Sequence, residues 1–133
     1  MMRIITLLLT FLLLPSVSFA EAPVDDGNAL LKNCITALDA LDGKISATKG
    51  EAAFCAGICF GKVGGVVDAG TIINAFAESK GGNKQDVYCV PDGVSTAQAT
   101  RVVVSYLKEH SEDLHQRDTA LIVTALKEAY PCK

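Results

Sequence analysis

Tryptophan is absent from these 133 residues, histidine occurs twice, and aromatic residues make up 6% of the chain. Basic residues are not in excess either, since 12 Lys and Arg stand against 15 Asp and Glu for a net charge of −3. A mildly acidic chain without a basic stripe or an aromatic platform is poorly suited to nucleic acid. With His110 and His115 as the sole histidines, a zinc site lacks its two further close ligands. No Cys-x-x-Cys pair is present; Cys55 and Cys59 lie four apart, the wrong spacing for a thiol–disulfide catalyst at a helix start. Gly61-Lys62 sits among glycines, but no Ser or Thr follows the lysine and no strand precedes it, so the phosphate-loop pattern fails. The histidines flank an acidic bend, yet nothing nominates a nucleophile or bound substrate for either to serve as general base. No catalytic residue, metal or cofactor is expected. Internal repeats and low-complexity tracts are also missing.

What the chain does have begins with an export signal. Arg3 gives a positive start, Ile4 to Leu14 is apolar apart from Thr6 and Thr10, and Pro15 ends the run. Ser18-Phe19-Ala20 places small residues at the −3 and −1 positions of a cleavage site, so residues 1–20 are expected to be cut after Ala20. The apolar run is roughly half the ~20 residues that cross a bilayer. Glu21 rather than cysteine follows the cut, which argues against a lipoprotein. The mature part, 21–133, is short enough for a single domain, carries 11 basic and 15 acidic residues (net −4), and is expected off the membrane. All five cysteines, Cys34, Cys55, Cys59, Cys89 and Cys132, fall within it. An exported domain of this size with that many cysteines reads as a disulfide scaffold in an oxidising compartment.

The expected fold is all-α, a small disulfide-stapled bundle of about four to five helices. Asp25 or Asp26 caps a first helix to about Leu41, with Leu30, Leu31, Cys34, Ala37, Leu38 and Leu41 at helical spacing. Asp42-Gly43 stops it, and Ser46 to Lys49 restarts the chain. Ala52 to Ala77 is the most apolar mature stretch. A second membrane span is the alternative there, but Lys62 and Asp68 interrupt it. Gly57, Gly61 and Gly65 share a helical face that another helix could approach closely, and a break is expected at Gly64-Gly65 or Gly70. Ser79 to Asp86 is the clearest exposed loop. Ser95 to Gln98 forms a capping box, and its helix carries Ala99, Val103, Tyr106, Leu107 and His110 inward despite the strand-favouring run Val102 to Val104. A last helix, from about Gln116 or Asp118 to Tyr130, buries Leu121, Ile122, Ala125, Leu126 and Ala129 before Pro131 ends it.

If Cys89 and Cys132 pair, the last helix is clamped back onto the start of the one before. Pairs Cys34–Cys59 and Cys89–Cys132 would contribute roughly 3.5 and 4 kcal/mol on the chain-entropy model. Some 110 residues poor in aromatics would otherwise be marginally stable. Cys55 is then free or bridges to a second chain. Glu109, Glu112, Asp113 and Asp118 form an acidic patch suited to a basic or amide-rich partner surface.

Five segments together resemble the Tai-type immunity proteins of type VI secretion. Tyr88-Cys89-Val90-Pro91 is similar to the family's Phe-Cys-Ile-Pro. Tyr106-Leu107, His110 and Leu114-His115 follow its Tyr-Leu-x-x-His-Pro-x-x-Leu-His, and Ala125-Leu126 to Ala129-Tyr130-Pro131-Cys132 follows its Ala-Leu-x-x-Ala-Phe-Pro-Cys. Cys59 to Ala69 resembles its Cys-x-Gly-Tyr-Ile-x-Gly-Val-x-Asp-Ala, and Leu30-Leu31 with Cys34 its first helix. Lys62 stands for an aromatic, Ser111 for proline, and Cys55 is additional. The resemblance implies a periplasmic protein, often a homodimer, that occludes the cleft of a secreted peptidoglycan amidase. It also implies a fold like the small HdeA acid chaperones, whose activity is the alternative function. Family-shared residues should carry the fold, so the effector contact is expected in the Ser79–Asp86 loop (Lys80, Asn83, Lys84, Gln85, Asp86) or the bend with Glu109, His110, Glu112, Asp113 and His115.

Overall fold

The computed structural model describes residues 25–46, 50–81 and 87–132. The export signal and residues 82–86 of the polar loop lie outside them. Asp26 accepts a hydrogen bond from the Ala29 amide at 2.9 Å and so caps helix α1, Gly27–Leu41. A side-chain oxygen there satisfies one of the amides that a helix start leaves unpaired. Leu30, Cys34, Ala37 and Leu38 are buried in its inner stripe, whereas Leu41 turns out to be exposed. The left-handed Gly43 (φ 72°) ends α1 without steric cost.

Helix α2, Gly50–Ser79, runs unbroken for 30 residues. The break expected at Gly64-Gly65 or Gly70 does not occur. Gly64 packs on Thr96 and Gly70 on Tyr88, so two of these glycines admit neighbours rather than bend the backbone. A Cβ on Gly70 would collide with the Tyr88 ring, which is 3% exposed and whose hydroxyl donates to the Val66 carbonyl. Gly57, Gly61 and Gly65 point into open space. The inner stripe of α2 is Ala52, Cys55, Cys59, Val63 and Gly70. By length and composition α2 is apolar enough to cross a membrane.

Ser95 accepts from the Gln98 amide at 3.2 Å and opens α3, Thr96–Glu109, which buries Ala99, Thr100, Val103, Val104 and Leu107. The cap and the stripe thus override the strand preference of three successive valines. A single 3-10 turn, Ser111–Asp113, leads to α4, Asp118–Ala129, which buries Leu121, Ile122, Ala125 and Leu126 but leaves Ala129 exposed. Among the described residues there is no strand, only an isolated bridge between Asp26 and Arg117. The four helices share one core, into which Tyr88 also inserts.

Disulfides join Cys34 to Cys59 and Cys89 to Cys132, across Cα separations of 5.1 and 4.9 Å. The first ties α1 to α2. The second ties the segment after α2 to the end of α4, where the Cys89 amide also donates to the Tyr130 carbonyl at 2.8 Å. A third tie is ionic. Lys62 on α2 bonds Asp118, the first residue of α4, and Asp25, 2.6 Å away, just before α1. Partial burial opposes the lysine charge, but the bonds to Asp118 and Asp25 outweigh it and hold its pKa above the ordinary 10.5.

Two tests follow from this packing. Lys62→Met should cost about 2 kcal/mol, because it leaves the Asp118 carboxylate (7% exposed) unpaired, whereas Asp25→Ala should cost under ~0.5 kcal/mol. Equal losses in urea denaturation would sink that ranking. Gly70→Ala should destabilise by about 1–3 kcal/mol through overlap with Tyr88, and Gly61→Ala, in open space, should stabilise by up to ~1 kcal/mol. Melts in dilute solution decide this; two changes of the same sign would refute it.

Candidate functional site

The connection from α3 to α4 is built by local hydrogen bonds, with Leu114 packed against the core and Glu112 and His115 exposed. The His110 amide donates to the Tyr106 carbonyl at 3.0 Å, Asp113 to His110 at 3.1 Å, and Gln116 to Asp113 at 2.9 Å. The far side of this bend grips the start of α1: Gly27 donates to the Gln116 carbonyl at 3.0 Å and Asn28 to the Leu114 carbonyl at 3.2 Å. A Cβ on Gly27 would meet the Leu114 backbone within 3.0 Å, so the approach requires glycine. The bend is therefore held in place against α1 on a stapled frame.

On that frame Glu109 and Glu112 are exposed carboxylates, and Glu109 accepts from Ser105 at 3.0 Å. Asp113 is half-buried and accepts from the Gln116 amide group at 2.7 Å. His110 stacks on Tyr106, ring centroids 4.1 Å apart, with Nδ1 2.9 Å from the Tyr106 carbonyl. His115 is exposed, its Nδ1 2.9 Å from the Glu112 carbonyl. Hydrogen bonding to the Tyr106 carbonyl raises the His110 pKa above 6.5 against partial desolvation, and Glu128, Glu112 and Asp113 add to the rise. Asp118 does not belong to this surface. It is buried and spent on Lys62 and on the Thr119 amide, at 2.6 Å from the latter.

Of the polar-loop residues, Lys80 is exposed in the turn after α2, its amide donating to Ala77 at 3.3 Å. Asn83, Lys84, Gln85 and Asp86 lie outside the described residues. Among the described residues no hydrogen bond or ion pair joins Lys80 to the bend. Cys55 is a free thiol with 5% exposure, so it is not placed to bridge chains. No group of three His, Cys, Asp or Glu among the described residues is arranged to hold a metal.

Two surfaces were not foreseen from the sequence as sites. A half-open groove of about 260 Å³ lies between α2 and the segment before α3, with Asn74, Glu78, Tyr88 and Asp92 in its lining. Asn74 donates from its side chain to the Tyr88 carbonyl at 3.0 Å. Its position depends on how Tyr88 meets Gly70, which no local pattern encodes. The outer face of α2 exposes Phe54 (68%), Ile72 (55%), Ile73 (43%) and Phe76 (64%). Its glycine spacing was visible; the exposure of the apolar residues around it was not.

A family model of Rap1a immunity proteins matches residues 26–132, and the chain belongs to that family. No curated protein and no solved structure matches it. The likeness to HdeA acid chaperones therefore rests on the sequence resemblance alone.

The raised pKa of His110 has a definite pH consequence. Protonation stabilises the folded bend, so this contribution is complete below about pH 6.5 and is lost as pH rises through the higher folded-state value. An NMR titration should place the His110 midpoint above that of His110 in the urea-unfolded chain, and His110→Gln should flatten the pH dependence of the melting temperature between pH 6 and 8. A midpoint at or below the unfolded one would refute the assignment.

Proposed function

From membership of the Rap1a immunity family we infer that this protein neutralises a secreted effector by binding it, and we propose that the effector is a type VI secretion peptidoglycan amidase. The observation that carries the inference is the family match, which spans all four helices and both disulfides. The amidase as target is supported by the resemblance of Tyr88 to Pro91, Tyr106 to His115 and Ala125 to Cys132 to Tai-type proteins. The periplasm as site of action is supported by the signal-like residues 1–20 and by disulfides that need an oxidising compartment.

The mode of action is occlusion. An inhibitor that fills a hydrolase cleft needs a protrusion that does not yield, since every loop residue ordered on binding subtracts from affinity. The bend from Glu109 to His115 meets that need, because hydrogen bonds to α1 and within the turn fix it before any partner arrives. Glu109 and Glu112 offer acceptors to the amide or basic groups of such a cleft, and His110 and His115 offer donors beside them. The Lys80 to Asp86 loop is the second contact. The protein acts as a homodimer, presenting the contact surface twice.

The test is titration of the mature protein against its amidase in a cell-wall hydrolysis assay, after pull-down from secreted and periplasmic fractions. A tight complex and lost hydrolysis are expected. Glu109→Ala with Glu112→Ala and His115→Ala should weaken inhibition at least ~10-fold, about 1.4 kcal/mol or more, while melting stays unchanged. Capture of unfolded clients that appears only in acid would replace this reading with a chaperone.

A further inference from the structure

On α3, Val102, Tyr106 and Glu109 lie at i, i+4 and i+7 and so share a face, and Ala125, Glu128 and Ala129 share one on α4. Where the two faces meet, they line a shallow groove of about 310 Å³. Side-chain size explains it. Val103, Leu107, Ile122 and Leu126 close the core beneath, while alanine at 125 and 129 is too short to fill the space beside Tyr106. The Tyr106 ring is itself held in place, because His110 stacks on it with ring centroids 4.1 Å apart.

The groove is apolar along Val102, Ala125 and Ala129 and carries the exposed carboxylates of Glu109 and Glu128. Among the described residues no lysine or arginine pairs with either glutamate; Glu109 accepts only from the Ser105 hydroxyl, at 3.0 Å. Lys108, next to Glu109 in sequence, lines a different groove, between α1 and α3. Desolvation raises the Tyr106 hydroxyl pKa, and Asp113, Glu128 and Glu112 add to the rise, so the potential around this ring is negative. The groove therefore joins an apolar floor, an aromatic wall and two carboxylates without a cation. Its volume stands at the foot of the ~300–1,000 Å³ range of small-molecule sites, which suits a side chain rather than a cofactor.

We propose that this groove receives an arginine side chain of the bound effector. The proposal rests on effector binding in the reading above but not on the amidase. Arginine matches the groove along its whole length. Its aliphatic stem lies on Val102 and the two alanines, while its planar head meets the Tyr106 ring and donates to the carboxylates. Lysine brings the same charge without the fork or the plane. A protein as its source follows from charge: the mature chain is net acidic, and such a surface favours a partner with basic residues facing it. Glu109 is both the end of the groove and the start of the bend, so a partner seated on the bend already lies against the groove.

Two titrations test this. In NMR spectra of the mature protein, N-acetyl-arginine amide should shift the Tyr106 ring and the Ala125 and Ala129 methyls saturably. Glu128→Gln should weaken that binding about threefold. The citrulline counterpart, alike in shape but uncharged, should leave those signals unmoved. Equal shifts from both probes, or shifts that spread without saturation over every exposed carboxylate, would overturn the site. Against the captured effector, Glu128→Gln should weaken binding about fivefold, as should Ala129→Leu, which fills the groove, with melting unchanged in both. Only Glu128→Gln should also flatten the salt dependence. Glu51→Gln, an exposed carboxylate at the start of α2, should change neither and controls for net charge. Wild-type effector affinity in both groove variants would overturn the proposal and leave immunity standing, with free arginine as the ligand if the amide still binds. An effector that is not an amidase, yet is weakened by both variants, would strike the amidase alone.

Discussion

Cys34 and Cys59 are both fully buried, so their disulfide lies inside the contact between α1 and α2 rather than bracing it from outside. This matters because the core around it is built from Leu, Val, Ala, one Ile and one Tyr. Small aliphatic side chains bury less area each than aromatics do, and a domain of this length has little margin over its conformational entropy. Cross-linking the unfolded chain lowers that entropy before any side chain packs. The second disulfide does the same for the other half, closing the segment after α2 onto the end of α4. Between them the two disulfides tie α1 to α2 and the segment before α3 to the end of α4.

The helix that receives these ties is α2. Its inner stripe takes the first disulfide at Cys59, the ion pairs at Lys62, and the Tyr88 ring at Gly70, so three elements distant in sequence meet along one rod. Burial of the Tyr88 ring raises its hydroxyl pKa, and the bond to the Val66 carbonyl is the partner that makes the burial tolerable. A hinge in α2 would disengage these contacts from one another. Helical continuity through Gly64-Gly65 is thus enforced from outside the helix, by what docks on it.

That enforcement marks where sequence reasoning runs out. Caps at Asp26 and Ser95, the stop at Gly43 and the stripes of α1, α3 and α4 are local signals, and helix type and order follow from them. The glycines of α2 have local propensity to break, and nothing nearby says that Thr96 and Tyr88 will fill the spaces they leave. Lys62 is equally opaque: its partners stand 37 and 56 residues away, so nothing local says that it joins α2 to Asp25 and Asp118. Asp118 misleads for the same reason, being acidic in a patch of acids yet drawn inward by that lysine. In the site, Glu109 and Glu112 were legible as exposed because the bend is polar throughout; that the bend is held rigid by α1 was not, since the bonds to Gly27 and Asn28 span the length of the chain.

This arrangement separates positions that carry the fold from positions that do not. The cysteines and the apolar stripes face inward, where a substitution costs the fold, whereas Glu109, Glu112 and His115 on the bend are exposed, where a substitution costs the fold little. Positions of that exposed kind can change without being traded against packing. The outer face of α2 is the exception. Four large apolar side chains stand exposed along one helix, and a strip of that kind favours association over solvation unless something covers it.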